Sequence, residues 1–156
     1  MSNTLQLGPL KIIGLAIRTT NHNNQAAQDI GNLWQQLYAG QWLEKIPNPV
    51  GMEVYSIYTD YVSNYTDAYT ALIGLQVSSL EQIPEGLVGR EFPANQFIRF
   101  TARGSMPQAM VDTWVVIWNQ DAELHRQYAY DFEVYAPKSQ QGADSEVDIF
   151  ISVTNA

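Results

Sequence analysis

The segment Tyr130-Asp131-Phe132-Glu133-Val134-Tyr135 sets two carboxylates among aromatic and aliphatic side chains. A carboxylate taken out of water is costly unless a cation or several hydrogen-bond donors meet it, so this run marks a candidate binding site. The triplet Glu-Val-Tyr also occurs at Glu53 to Tyr55, and Glu53 and Glu133 are separated by the same interval of 80 residues as Trp34 and Trp114. Two features repeating in one register read as an internal duplication. A duplicated domain is expected to open a cleft at its seam.

The elements that must position these residues follow from periodicity and turn chemistry. Leu10 to Thr19 reads as a strand bounded by Pro9 and the polar turn Thr20 to Asn24. Ala26, Ile30, Leu33, Trp34, Leu37 and Tyr38 recur at steps of three and four, which predicts a helix over Gln25 to Ala39 ended by Gly40. Glu53 to Tyr61 and Tyr69 to Val77 read as two strands, and the polar stretch Ser78 to Gly86 as a connector. The pattern then restarts. Val88 to Arg103 reads as strand, interrupted by Pro93-Ala94-Asn95, and Pro107 opens a helix carrying Met110, Val111, Trp114, Ile117, Trp118 and Asp121. Tyr128 to Ala136 and Val147 to Val153 complete the set, around a loop, Pro137 to Glu146, expected to be mobile. The expectation is a single α+β domain over 1–156. It holds duplicated βαββ units, about 9–77 and 88–154, forming a mostly antiparallel sheet with two helices on one side and a ligand cleft at the pseudo-twofold seam.

On a strand, alternate residues share a face. Tyr130, Phe132 and Val134 form the apolar set expected to pack on the helices, which would leave Glu133 and Tyr135 on the opposite sheet surface. By the repeat, Glu53 and Tyr55 would sit on the equivalent face. Pattern alone leaves two readings of that surface: a binding site, or a solvated exterior cross-paired with Arg99 or Arg103.

Composition narrows the function classes. Hydrophobic residues make up 46% of the 156 and charged residues 15%, which excludes a disordered chain. A net charge of −8 argues against direct nucleic-acid binding and raises the local concentration of cations. There is no cysteine, which fits a cytoplasmic location, and His22 and His125 stand without metal-ligand spacing, so neither a metal nor another cofactor is expected. No stretch is apolar enough to enter a membrane as a helix, and Met1 to Gly8 lacks the features of a signal segment, so the mature protein is expected to begin near Met1.

Ile13-Gly14-Leu15 with Arg18-Thr19, Leu33-Trp34, Glu53-Val54-Tyr55, Tyr58-x-Asp60-Tyr61, Ile73-Gly74, Pro84-x-Gly86, Trp114-x-x-Ile117-Trp118 and Asp131-Phe132-Glu133-x-Tyr135 follow one another in an order that resembles the GyrI-like effector-binding domains. The resemblance covers nearly the whole chain and is to the stand-alone, integron-associated members in particular. Relatives of these are fused to helix-turn-helix units in multidrug-sensing transcription activators. It implies two βαββ units around a central cleft that binds lipophilic cations between aromatic side chains, with an acidic residue at the base, and Glu133 matches that residue. The expected binding set is Glu133, Tyr135, Trp114, Met110, Tyr55, Tyr58 and Phe97. With no spare length for a helix-turn-helix unit before Leu10 or after Val153, a transcriptional role would need a separate protein partner; the oligomeric state stays open. Two alternatives remain: a hydrolase of reactive electrophiles in which Glu133, helped by Tyr135, acts as general base, and a gyrase-inhibitor-like protein-interaction role.

Overall fold

The structure, a computed structural model, describes residues 4–154; Met1, the expected start of the mature chain, lies outside them. The chain runs β1 (Thr4–Leu7), β2 (Leu10–Thr19), α1 (Gln25–Ala39), β3 (Pro49–Thr59), β4 (Tyr69–Val77), β5 (Val88–Phe92), β6 (Asn95–Arg103), α2 (Gln108–Asn119), β7 (Tyr130–Tyr135) and β8 (Glu146–Ser152). The eight strands form one sheet in the order β1-β6-β8-β7-β3-β4-β2-β5, with every pairing antiparallel. β2-α1-β3-β4 and β6-α2-β7-β8 are the two βαββ units, joined at the centre by β3 and β7. Each edge strand crosses over: β1, ahead of the first unit in sequence, pairs with β6 of the second, and β5, ahead of the second, pairs with β2 of the first. β1 is too short and too exposed to show a strand pattern in the sequence.

Local chemistry sets several boundaries. The helix and strand predicted over Gln25–Ala39 and Tyr69–Val77 are observed with those limits. β3 stops at Thr59 because Asp60 takes a left-handed conformation, φ 53°, and β7 starts after Tyr128 for the same reason, φ 57°. Pro93 divides Val88–Arg103 into β5 and β6, which pair with different strands. The polar 137–146 stretch contains two 3-10 turns, Pro137–Gln140 and Gly142–Asp144.

Both helices lie on one face of the sheet. Leu33 and Leu37 of α1 pack on Ile13, Ile73, Leu75 and Val77, while Ala109, Met110 and Ile117 of α2 pack on Val147, Ile149 and Ile151. Neither helix has a side-chain N-cap, so burial is what holds them, at about 1.5–3 kcal/mol for each large aliphatic side chain. Among the described residues no helix is long and apolar enough to cross a membrane.

The opposite face is buried as well, because the sheet curls on itself. In a flat sheet β5 and β7 would be four strand spacings apart, about 19 Å. The rings of Phe92 and Tyr130 nevertheless lie 4.9 Å apart, in a cluster with Leu10, Ile12, Ile57, Leu72, Phe97 and Phe132. This corrects the expectation that Tyr130, Phe132 and Val134 face the helices. They fill the inner face of the curl, and Glu133 and Tyr135 are the residues turned toward α1 and α2.

The curl depends on close approach of β2 and β4. Gly14 and Gly74 lie directly opposite one another, and a Cβ at Gly74 would fall 2.0 Å from the Ile13 carbonyl oxygen and 2.7 Å from the Gly14 Cα. Backbone cannot yield as a flexible side chain can. Gly74→Ala is expected to destabilise the fold by about 2 kcal/mol, measured by urea unfolding, whereas Gly31→Ala, with nothing within 4 Å of the added carbon, should be neutral or slightly stabilising.

Candidate functional site

Between α1, α2 and the sheet lies a cleft of about 650 Å³. α1 contributes Ala26, Ile30 and Trp34, α2 contributes Met110, Trp114 and Trp118, and the floor is made by Tyr58, Glu133 and Tyr135. Asn21 and His22 ahead of α1 and Tyr65 from the β3–β4 loop also line it.

Register explains why these floor residues meet. Ser56 pairs with Glu133 and Val54 with Tyr135, so Val54, Ser56 and Tyr58 share the helix-side face with Asp131, Glu133 and Tyr135. Glu133 is only 3% exposed. Its Oε1 accepts from the Tyr58 hydroxyl at 3.0 Å and the Tyr135 hydroxyl at 2.6 Å, and its Oε2 accepts from Trp114 Nε1 at 2.7 Å. The three donors come from β3, β7 and α2. Burial raises the Glu133 pKa, and the hydrogen bonds from Tyr135, Trp114 and Tyr58 draw it back only in part. Burial, followed by the Glu133 charge, holds the hydroxyls of Tyr58 and Tyr135 well above the usual phenol range, so both remain donors.

Two residues earlier, Asp131 is fully buried and satisfied differently. Oδ2 accepts from Arg126 Nη2 at 2.7 Å and the Tyr61 hydroxyl at 2.5 Å, and Oδ1 accepts from the Ser152 backbone N–H at 2.8 Å and its hydroxyl at 3.2 Å. Arg126, 1% exposed at its side chain, also meets Asp121 at 3.3 Å. The one arginine bordering the cleft is thus committed to Asp131 and Asp121. Glu133 accepts three neutral donors and, among the described residues, no cation. A carboxylate can take about four hydrogen bonds, so Asp131 is saturated and charge-paired while Glu133 is neither.

The sequence profile of the integron-associated effector binding proteins matches residues 5–153. The chain belongs to this family. An integron cassette protein from the mobile metagenome of Vibrio cholerae, VCH_CASS2, shares 31% identity and superposes with a TM-score of 0.76, over 97% of this chain and 95% of that one. SAV2435, solved bound to tetraphenylphosphonium, has the same fold at 17% identity, with a TM-score of 0.81 over 99% of this chain and 95% of its own. YobU of Bacillus subtilis (strain 168), described as a candidate transcriptional regulator, is 23% identical over 97% of both chains. As a member of the effector-binding family, the chain is a small-molecule-binding protein.

In this effector-binding protein Glu133, Tyr135, Trp114, Met110 and Tyr58 all border the cleft. Tyr55 and Phe97 do not. Tyr55 pairs with Val134, which puts it on the inner face of the curl, where it lies 5.9 Å from Phe132 and donates to Gln76. Phe97, fully buried, packs there on Tyr130 and Phe132. The two Glu-Val-Tyr triplets occupy corresponding strands, but Tyr55 and Tyr135 point to opposite faces, and Glu53 is exposed. The interval of 80 therefore matches the Trp-bearing helices and not the strand residues one by one. Tyr61, Tyr65, Tyr69 and Arg126 also border the cleft and were absent from the expected set. The density of tyrosines from Tyr58 to Tyr69 was the available signal.

Two predictions test these electrostatics. Asp131→Asn removes the closer of the two carboxylates that pair with the buried Arg126, leaving Asp121 at 3.3 Å, and is expected to cost about 3 kcal/mol of stability, read from denaturant unfolding. For Glu133 the raised folded pKa means that, between the usual carboxylate range and that raised value, the native state holds more protons here than the unfolded chain. This residue's contribution to stability is then full at acid pH and declines as pH rises through the window. The pH slope of unfolding free energy should be less negative there in Glu133→Gln than in the wild type.

Proposed function

We propose that the cleft binds lipophilic organic cations and that Glu133 supplies the charge selectivity. The observation that carries this reading is a buried carboxylate on the cleft floor held by three neutral donors, with the neighbouring arginine committed elsewhere. Leaving a charge without a counter-ion is costly in the empty protein, and a bound cation restores the missing partner. The aromatic walls add to this, since a cation over a tyrosine or tryptophan face gains about 0.5–2 kcal/mol. Tyr58, Tyr135 and Trp114 donate to the carboxylate, and that polarisation enriches the ring faces they turn to the cleft. The overall charge of −8 favours approach of cations. The tetraphenylphosphonium held by SAV2435 is a ligand of this chemical type, which supports the assignment for a chain of the same fold.

The test is Glu133→Gln with tetraphenylphosphonium and a neutral aryl analogue, triphenylphosphine oxide, measured by calorimetry. The cation should lose roughly 1.5–3 kcal/mol, the Coulomb attraction of two unit charges about 6–10 Å apart at an effective dielectric constant of about 20, and the neutral compound little. Equal losses would mean that the substitution only deforms the cleft. The amide can keep the two tyrosine donors on its oxygen but turns its NH2 toward Trp114 Nε1, so a modest loss of stability is expected beside the loss of binding, about 1 kcal/mol. Cation affinity should also rise with pH through the window in which Glu133 ionises, with protons released on binding.

A further inference from the structure

At the β3–β4 loop the lining of the cleft includes a contact that the binding chemistry around Glu133 does not use. Tyr65, on that loop, stacks face to face on Trp118 of the last turn of α2, with ring centroids 5.3 Å apart and planes 9° from parallel. Both residues border the cleft. The loop is fixed on the α1 side as well: Asn21 donates its Nδ2 to the Tyr65 carbonyl at 2.8 Å and accepts from the Tyr69 hydroxyl at 2.8 Å. Its own turn is closed by Val62 N–H to the Ala68 carbonyl, at 3.0 Å, and by Thr66 N–H to Asn64 Oδ1, at 2.9 Å. Tyr65 therefore spans from the entry of α1 to the end of α2.

Trp34, which also borders the cleft, meets Tyr135 edge-on at 5.0 Å and stacks with Tyr38 at 5.9 Å. That contact is made by one helix and the strand beneath it. The Tyr65 contact joins two separate elements, a loop and α2, through the flat face of Trp118. A rigid ligand anchored over Glu133 and long enough to reach the β3–β4 loop would meet the stacked pair.

We propose that the Tyr65–Trp118 stack sets the upper length of ligand the cleft accepts, making Tyr65 a specificity-determining residue that excludes extended rigid cations while compact ones bind. This rests on the cation-binding reading above. Without the Tyr65 ring, the Trp118 indole face becomes a free apolar surface continuous with the cleft, able to take the far end of a longer ligand.

The experiment compares benzyltrimethylammonium with terphenylmethyltrimethylammonium, a rigid rod with the same cationic head, on wild type, Tyr65→Ala, Tyr65→Phe and Trp118→Ala, by calorimetry. Thermal unfolding of each variant confirms that it is folded. The quantity read is the ratio of long-rod to short-rod affinity within each protein, which cancels losses common to both ligands. Tyr65→Ala is expected to raise this ratio by roughly tenfold, the apolar surface of one aryl ring gaining cover. Tyr65→Phe, which keeps the ring, should leave the wild-type ratio, and Trp118→Ala should raise it. An unchanged ratio in Tyr65→Ala overturns the inference, as does an equal rise in Tyr65→Phe. Failure of both cations to bind any of the proteins would instead overturn the cation-binding reading on which it stands.

Discussion

The pairing of Ser56 with Glu133 across the central strands is the constraint on which the site depends. Side chains alternate along a strand, so a slip of one residue would send Glu133 and Tyr135 into the inner curl and Phe132 toward the helices. Such a slip would bury two carboxylates against Phe92 and Phe97 and take Glu133 away from Tyr58 and Trp114. Register here is fixed from both faces at once: the aromatic cluster of the curl accepts only Tyr130 and Phe132, and the helix side supplies hydroxyls and an indole N–H. The floor of the cleft is thus a consequence of core packing.

Asp131 and Glu133 share that face and the same strand, yet the surroundings give them opposite roles. Arg126 and three further donors saturate Asp131, turning it into a fixed point that ties β7 to β8 through Ser152 and to the single helical turn Asp121–Leu124 through Arg126. Glu133 meets only neutral donors. Had Arg126 reached both carboxylates, the cleft floor would have been closer to neutral, and the proposed cation selectivity would have no basis there. The structure leaves one carboxyl on the cleft floor with neutral donors alone and pairs the other with Arg126. Local cost of this kind is what a binding site holds in reserve for its ligand.

Much of the scaffold was legible in the sequence, and the reasons are physical. The apolar stripe of α1 and the continuous apolar run of β4 are strong signals because helix packing and burial on both faces demand them, and Gly40 marks the helix end. Glu133 stood out as a carboxylate among aromatics, whereas Tyr135, Trp114, Met110 and Tyr58 were picked out by the family resemblance, since aromatic and Met side chains at such spacing read equally well as core. The face they occupy was not legible. Periodicity tells which residues go together, and it cannot tell which side the helices take when a curled sheet buries both. Tyr55 and Phe97 were misplaced for that reason, and the Glu-Val-Tyr repeat strengthened the error by suggesting equivalence where the strand pairing gives opposite faces. Arg126 left no trace in spacing, since its partner Asp131 is met through a turn with His125 and Tyr128 in left-handed conformations.

The two units match in topology while the chemistry between them is unequal. Opposite Glu133 the first unit places Ser56, so the floor carries a single unpaired carboxylate. A second one in that position would lie within a strand spacing of the first, and like charges so close would keep one of them protonated, leaving the net charge little changed and the site harder to fold. The first unit supplies walls instead, through Tyr58, Tyr61, Tyr65, Tyr69 and Trp34, and the second supplies the charge together with Trp114 and Trp118. The second unit alone thus brings charge and aromatic surface together, and the first extends the aromatic lining. The seam and the site are thus one construction, because the donors that hold Glu133 reach it from β3 as well as from β7 and α2, so a change in that carboxyl's surroundings bears on all three elements at once.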